Sequence, residues 1–220
     1  MHSPGSLRST PQQQTGLLGH STGSSAVDTC LSHCRPGTVS ELCGPSACGK
    51  TQGLIALSLS ASSAVFLSCS SPSMPIPHYA TEDQLSRITD VGGVTSPHEL
   101  HAALSELISL QESNTLVPSL VAIDGLSTCV APPPPWASVQ QASSLARLMK
   151  VAAVTNGAAV VYTNHSSTVG GSFRPGLGAK WLAVPHARAL LCPDGSVHCL
   201  AGAHAGFSGT FRVRSTGCLE

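Results

Sequence analysis

The eight residues Gly44-Pro45-Ser46-Ala47-Cys48-Gly49-Lys50-Thr51 constrain the fold more than any other stretch of this chain. They fit G-x-x-x-x-G-K-[ST], a pattern in which glycines let the backbone curl and turn successive N–H groups toward an anion. Such a loop needs a strand to feed it and a helix to leave it, since the helix N-terminus adds partial positive charge to the same concavity. Both neighbours are legible. Thr38-Val39-Ser40-Glu41-Leu42-Cys43 alternates as a short strand, and Gly53 to Leu59 carries apolar residues suited to a buried helix. The loop Gly44 to Thr51 is therefore expected to bind the phosphates of ATP. Lys50 is the catalytic candidate, neutralising β- and γ-phosphate charge, and the Thr51 hydroxyl is placed to hold Mg²⁺.

The remaining pattern predicts an α/β fold with a mostly parallel sheet, helices on both faces and a partly antiparallel C-terminal edge. Ala64-Val65-Phe66-Leu67, Ser119-Leu120-Val121-Ala122-Ile123-Asp124 and Ala158-Ala159-Val160-Val161-Tyr162-Thr163 are compact apolar runs. Continuous apolar strands separated by helices imply βαβ units whose sheet is covered on both sides. Between them, Ser96-Pro97-His98-Glu99 reads as a capped helix start followed by an apolar stripe from Leu100 to Ile108. A second capping box opens at Ser138, and Gly157 closes that helix. Ser68 to His78 reads as a Pro-rich loop and Pro132 to Pro135 as an exposed extended one. Ala187 to Leu191 and Gly209 to Val213 read as strands at the sheet edge. Asp124, at the end of its apolar strand, is the natural second metal anchor beside Thr51. The first 16 residues, Ser-, Pro- and Gln-rich, read as a disordered tail ahead of a core over 17–220.

Composition narrows the class further. Charged side chains make up 10% of the 220 residues, against about 25% in an average globular chain. Disorder nevertheless requires low hydrophobicity, and 41% of these residues are hydrophobic, so most of the chain is expected to fold. Eleven basic and eleven acidic side chains give zero net charge, which excludes a chain-wide electrostatic grip on nucleic acid. No apolar run reaches the ~18 residues of a membrane span. Nine scattered cysteines without CxxC pairs read as reduced thiols rather than a disulfide framework or a zinc site.

Four blocks resemble the RecA-type recombinase family, specifically its eukaryotic paralogues of homologous recombination. Ser21-Thr22-Gly23 to Asp28 is similar to the family's STG-x-x-x-LD segment. Thr38 to Gln52 is similar to its block ending GKTQ, with Gln52 completing the ATP-binding set. Ala159 to His165 (AVVYTNH) resembles its strand ending TNQ/H, and Arg174 to Leu191 resembles the segment with LG-x-x-W. The Asn164-His165 ending and the spacing of Leu177-Gly178 from Trp181 are most similar to the D-type paralogues. The resemblance implies a RecA-like ATPase core, with ATP and Mg²⁺ as cofactors. It further implies a nuclear accessory subunit of DNA repair, forming a hetero-oligomer with other recombinase paralogues and touching single-stranded DNA. It makes Asn164 and His165 a γ-phosphate sensor and puts Arg174 and Lys180, in a flexible Gly-rich loop from Ser166 to Gly178, against DNA.

Departures from the family shape the expected activity. The strand after the loop helix continues Phe66-Leu67-Ser68-Cys69-Ser70-Ser71 without the acidic residue that would activate water, so hydrolysis is expected to be weak or absent. The family's N-terminal helical domain is expected to be absent, and no Phe-x-x-Ala polymerisation motif occurs in these 220 residues. From His165 onward five basic residues (Arg174, Lys180, Arg188, Arg212, Arg214) face two acidic ones (Asp194, Glu220), a modest local excess. Arg188, inside an apolar run, is either structural or in contact with a neighbouring subunit's nucleotide. His165 is either a sensor or a core histidine. Two other functions stay open: a non-hydrolysing structural adaptor in a paralogue complex, and a generic P-loop NTPase.

Overall fold

The computed structural model describes residues 19–220 apart from 33, 114, 131–136, 156, 170–171 and 215–218. The expected N-terminal tail and proline run lie outside the described residues. A short helix α1 (Ser25–Cys30) precedes strand β1 (Val39–Gly44), which runs through the loop into α2 (Lys50–Ser60) and back to β2 (Ala64–Ser68). Then come α3 (Glu82–Ser86), β3 (Ile88–Val91), α4 (Pro97–Glu112), β4 (Leu120–Asp124), α5 (Leu126–Cys129) and α6 (Ala137–Thr155). The last part holds β5 (Ala159–Val169), β6 (Ser172–Pro175), a 3₁₀ turn (Ala179–Ala183), β7 (Ala187–Leu191), β8 (Ser196–Ala201) and β9 (Ser208–Thr210).

The strands lie in the order β3-β2-β4-β5-β1-β7-β8-β9. All pairings from β3 across to β7 are parallel, and β8 and β9 close that edge antiparallel. Strand β7 itself is parallel to β1, so the antiparallel edge begins one strand later than Ala187 to Leu191 suggested. The segment expected as a flexible loop after His165 is instead largely a hairpin: β5 runs on to Val169 and pairs with β6, Ser167 opposite Arg174. Thr168 and Val169 supply strand propensity that the glycines just beyond them mask in the sequence.

Side-chain alternation explains the continuous apolar strands. Leu42, Phe66, Ala122 and Val161 pack with Val27 of α1 and Leu54 and Leu57 of α2 on one face. Their neighbours Val39, Val65, Val121, Ile123, Val160 and Tyr162 pack with Leu100 and Leu104 of α4 and Leu145 and Met149 of α6 on the other. The predicted α4 cap is present: Ser96 Oγ accepts from Glu99 N at 3.2 Å, and Glu99 Oε2 accepts from Ser96 N at 3.1 Å and Thr95 N at 2.8 Å. These hydrogen bonds hold the Glu99 carboxyl below its ordinary range. The Ser138 cap lies outside the described side chains. Among the described residues no helix is long and apolar enough to cross a membrane.

Candidate functional site

Strands β1 and β4 end beside Thr163–His165 of β5, and this edge of the parallel sheet carries the chemistry, as expected of a crevice in an open α/β sheet. The Gly44–Thr51 loop curls off β1. Gly44 sits at φ 153°, and a Cβ there would lie 2.3 Å from the Leu191 carbonyl oxygen, so the strand-to-loop turn admits no side chain. Gly49 caps α2 at φ 89°, and Ala47 is held left-handed at φ 60°. A left-handed alanine is uncommon, and such strain clusters at ligand-binding loops. Lys50, nearly buried, donates from Nζ to the carbonyl oxygens of Gly44 (3.0 Å) and Pro45 (2.5 Å), so the ammonium bridges the loop's own rim.

Thr51 and Asp124, far apart in sequence, meet here. The Thr51 hydroxyl lies 3.1 and 3.2 Å from the two Asp124 carboxylate oxygens. Asp124 also accepts from Thr163 Oγ1 at 2.8 Å and Ser70 Oγ at 3.2 Å, which fixes the carboxylate at the foot of a cleft of about 160 Å³. Ser46, Lys50, Thr51, Asp124, Ser127 and His165 are among the cleft-lining residues. A hydroxyl and a carboxylate are hard oxygen donors of the kind Mg²⁺ takes. Ser70, Ser127, Thr128 and Thr163 were not picked out from the sequence. Their signal is a run of hydroxyl residues at or just beyond the ends of apolar strands, and it means little until the strands are aligned.

The end of β2 offers only hydroxyls and a thiol. Ser68 and Ser71 share a hydrogen bond at 2.8 Å and Ser70 is bonded to Asp124. No carboxylate of β2 or its loop enters the cleft lining.

Asn164 and His165, expected as a sensor pair, divide. His165 is exposed at the cleft edge, its backbone N–H donating to Ser127 Oγ at 3.0 Å, so it is not a core histidine. Asn164 is buried, and its Nδ2 donates to Glu41 Oε1 at 2.7 Å. Asn164 Oδ1 is buried without a partner among the described residues. Glu41 itself is fully buried. Its Oε2 accepts from Arg188 Nε at 2.5 Å and from the Tyr162 hydroxyl at 3.1 Å. Arg188 further donates to the carbonyls of Trp181 (2.9 Å) and Leu182 (3.3 Å). Burial and the Glu41 charge push the Tyr162 phenol well above its ordinary range. Within this chain Arg188 is thus a structural counter-ion, placed opposite Glu41 by strand register. The side chains of Arg174 and Lys180 lie outside the described residues.

A second, wider cavity of about 850 Å³ opens on the far side of the loop, between Ala47, Cys48, Cys192–Gly195 and Thr210–Val213. Ala47 lines both spaces, so the loop separates a narrow polar cleft from a roomy neighbour. No family model matches the chain, and no curated protein matches it.

Proposed function

We propose that this chain is an ATP-binding protein of RecA-like type, acting as an accessory subunit in homologous-recombination repair rather than as a motor. One observation carries the nucleotide reading: the Gly44–Thr51 loop, Lys50, Thr51 and Asp124, distant in sequence, converge on one cleft at the ends of parallel strands. Lys50 exchanges its two carbonyl contacts for phosphate oxygens, and the α2 N-terminus supplies further N–H donors. The Thr51 hydroxyl and Asp124 carboxylate are the residues that would hold Mg²⁺, which when bound neutralises phosphate charge. The wide cavity beyond Ala47 has room for the nucleoside. Strand β5 lies between the loop strand β1 and the carboxylate strand β4, which supports the RecA-like reading together with the four sequence blocks.

Weak turnover follows from the end of β2, where hydroxyls stand and no carboxylate of that strand or its loop reaches the cleft. Single-stranded DNA is assigned to the side of the β5–β6 hairpin, through Arg174 and Lys180, and partner paralogues complete a hetero-oligomer in the nucleus. The missing base equally favours a second reading, an adaptor that binds nucleotide without hydrolysing it. Equilibrium binding of a fluorescent ATP analogue and of an oligo-dT strand, to wild type and Lys50→Ala, tests both. Lys50→Ala is expected to lose analogue binding at least tenfold, and strand binding is expected to weaken with salt. Equal analogue affinity in the two proteins would end the nucleotide reading. Strand binding absent at low salt would leave the adaptor.

A further inference from the structure

Helix α6 has two jobs on two faces. Leu145, Met149, Ala152 and Ala153 recur at helical spacing and are buried against the sheet. Its outer side, with the 3₁₀ turn beyond it, forms a groove of about 650 Å³ unconnected with the nucleotide cleft. Ala142, Ala146, Val151 and Val154 supply its apolar helix wall, and Trp181 and Val184 the floor and far wall. Val154 is 71% exposed, an unusual position for a β-branched apolar side chain on a helix. The floor is preformed. Trp181 is buried, packs edge-on against Tyr162 at 5.9 Å, and its carbonyl is tied to Arg188.

Charge selects the occupant. Arg147 and Lys150 stand exposed on the groove rim, and none of its described lining residues is acidic. All 19 residues of α6 lack Asp and Glu. Neither cation takes part in an ion pair among the described residues. From Ala142 to Thr155 the groove spans about 20 Å at 1.5 Å per residue, the length of a four-turn helix. Alanines at 142 and 146 let a second backbone approach closely. A helix in such a groove would anchor apolar residues at i, i+3/i+4 and i+7, as amphipathic ligands do.

We propose that this groove docks an acidic amphipathic helix of a partner protein, its apolar stripe over Ala146, Val151 and Val154 and its carboxylates over Arg147 and Lys150. The surface is independent of nucleotide binding, so its test does not depend on the fate of that reading.

The test selects helices from a displayed library of 18-residue amphipathic peptides, with randomised positions flanking a fixed Leu stripe, against the full chain. Selected peptides are expected to be enriched in Asp and Glu over Lys and Arg. They should lose at least tenfold in affinity for the Arg147→Glu/Lys150→Glu double variant and for Val154→Glu, and weaken with salt. Circular dichroism melts and ATP-analogue affinity of the same variants are expected to match wild type, which separates lost docking from lost folding. Selection of no helix, selection without acidic bias, or unchanged affinity for the variants would each overturn the proposal. Sedimentation showing a dimer that Val154→Glu dissociates would also overturn it, assigning the groove to a second copy.

Discussion

At the scale of single residues, the largest stake outside the loop is Glu41. A buried carboxylate three residues before Gly44 is tolerable only because Arg188, Tyr162 and Asn164 surround it. Removing one partner of such a pair leaves an uncompensated charge, at a cost of about 3–5 kcal/mol. Arg188→Met is therefore expected to destabilise strongly in urea titrations, and the double variant Glu41→Leu/Arg188→Met to recover much of the loss. A second prediction concerns the thiols. Burial raises Cys30 to about 12, and raises Cys34 and Cys43 as well, against an ordinary value of 9. Because the folded values lie above the unfolded one, this contribution to stability is complete below pH 9 and falls away as pH rises toward 12. The urea midpoint is expected to drop from pH 8 to pH 10.5. Among the eight described cysteines Cys192 is the least buried and is expected to alkylate first with iodoacetamide at pH 8, read by peptide mass spectrometry. Sequence alone shows the Gly, Lys and Thr of the loop because their roles are local. It shows Arg188 only as a charge inside an apolar run and Glu41 only as a polar position of an alternating strand, and the strand register explains why both are there.

At the scale of elements, the α4 start is a local device and was readable as one. Ser96→Ala removes the acceptor for Glu99 N–H, and is expected to cost about 1 kcal/mol by chemical denaturation, while Ser96→Asp retains most of it. The apolar strands were equally legible, since being covered on both faces leaves a continuous hydrophobic run. The hairpin β5–β6 was not. Its residues show no hydrophobic period, and what fixes them is pairing with each other, Thr168 opposite Phe173 and Ser166 opposite Pro175. The short α1 is only six residues long and has no side-chain cap at Ser24; what fixes its start is Asp28, which accepts from Thr22 N at 2.8 Å and Ser21 Oγ at 2.6 Å in the segment leading into it.

At the scale of the whole molecule, ligand binding and stability are linked. A ligand that binds only the folded chain adds about 2.7 kcal/mol when present at 100 times its Kd. A non-hydrolysable ATP analogue with Mg²⁺ is expected to raise the melting temperature by several degrees. The rise should shrink on chelation with EDTA and in Thr51→Ala, and vanish in Lys50→Ala. What the sequence determined by itself was local: a strand, a phosphate-type loop and a helix in succession, apolar runs of strand length, a capped helix, and an Asp at a strand end. These are set by neighbours within a few residues, so they survive without knowledge of the rest. Only the tertiary structure decided that β5 lies between β1 and β4, that Thr51 reaches Asp124, that Glu41 faces Arg188, and that Arg147 and Lys150 flank a groove on α6 without an ion pair among the described residues. Each depends on strand order and register, which are fixed by packing both sheet faces at once and leave no mark within a short stretch of chain.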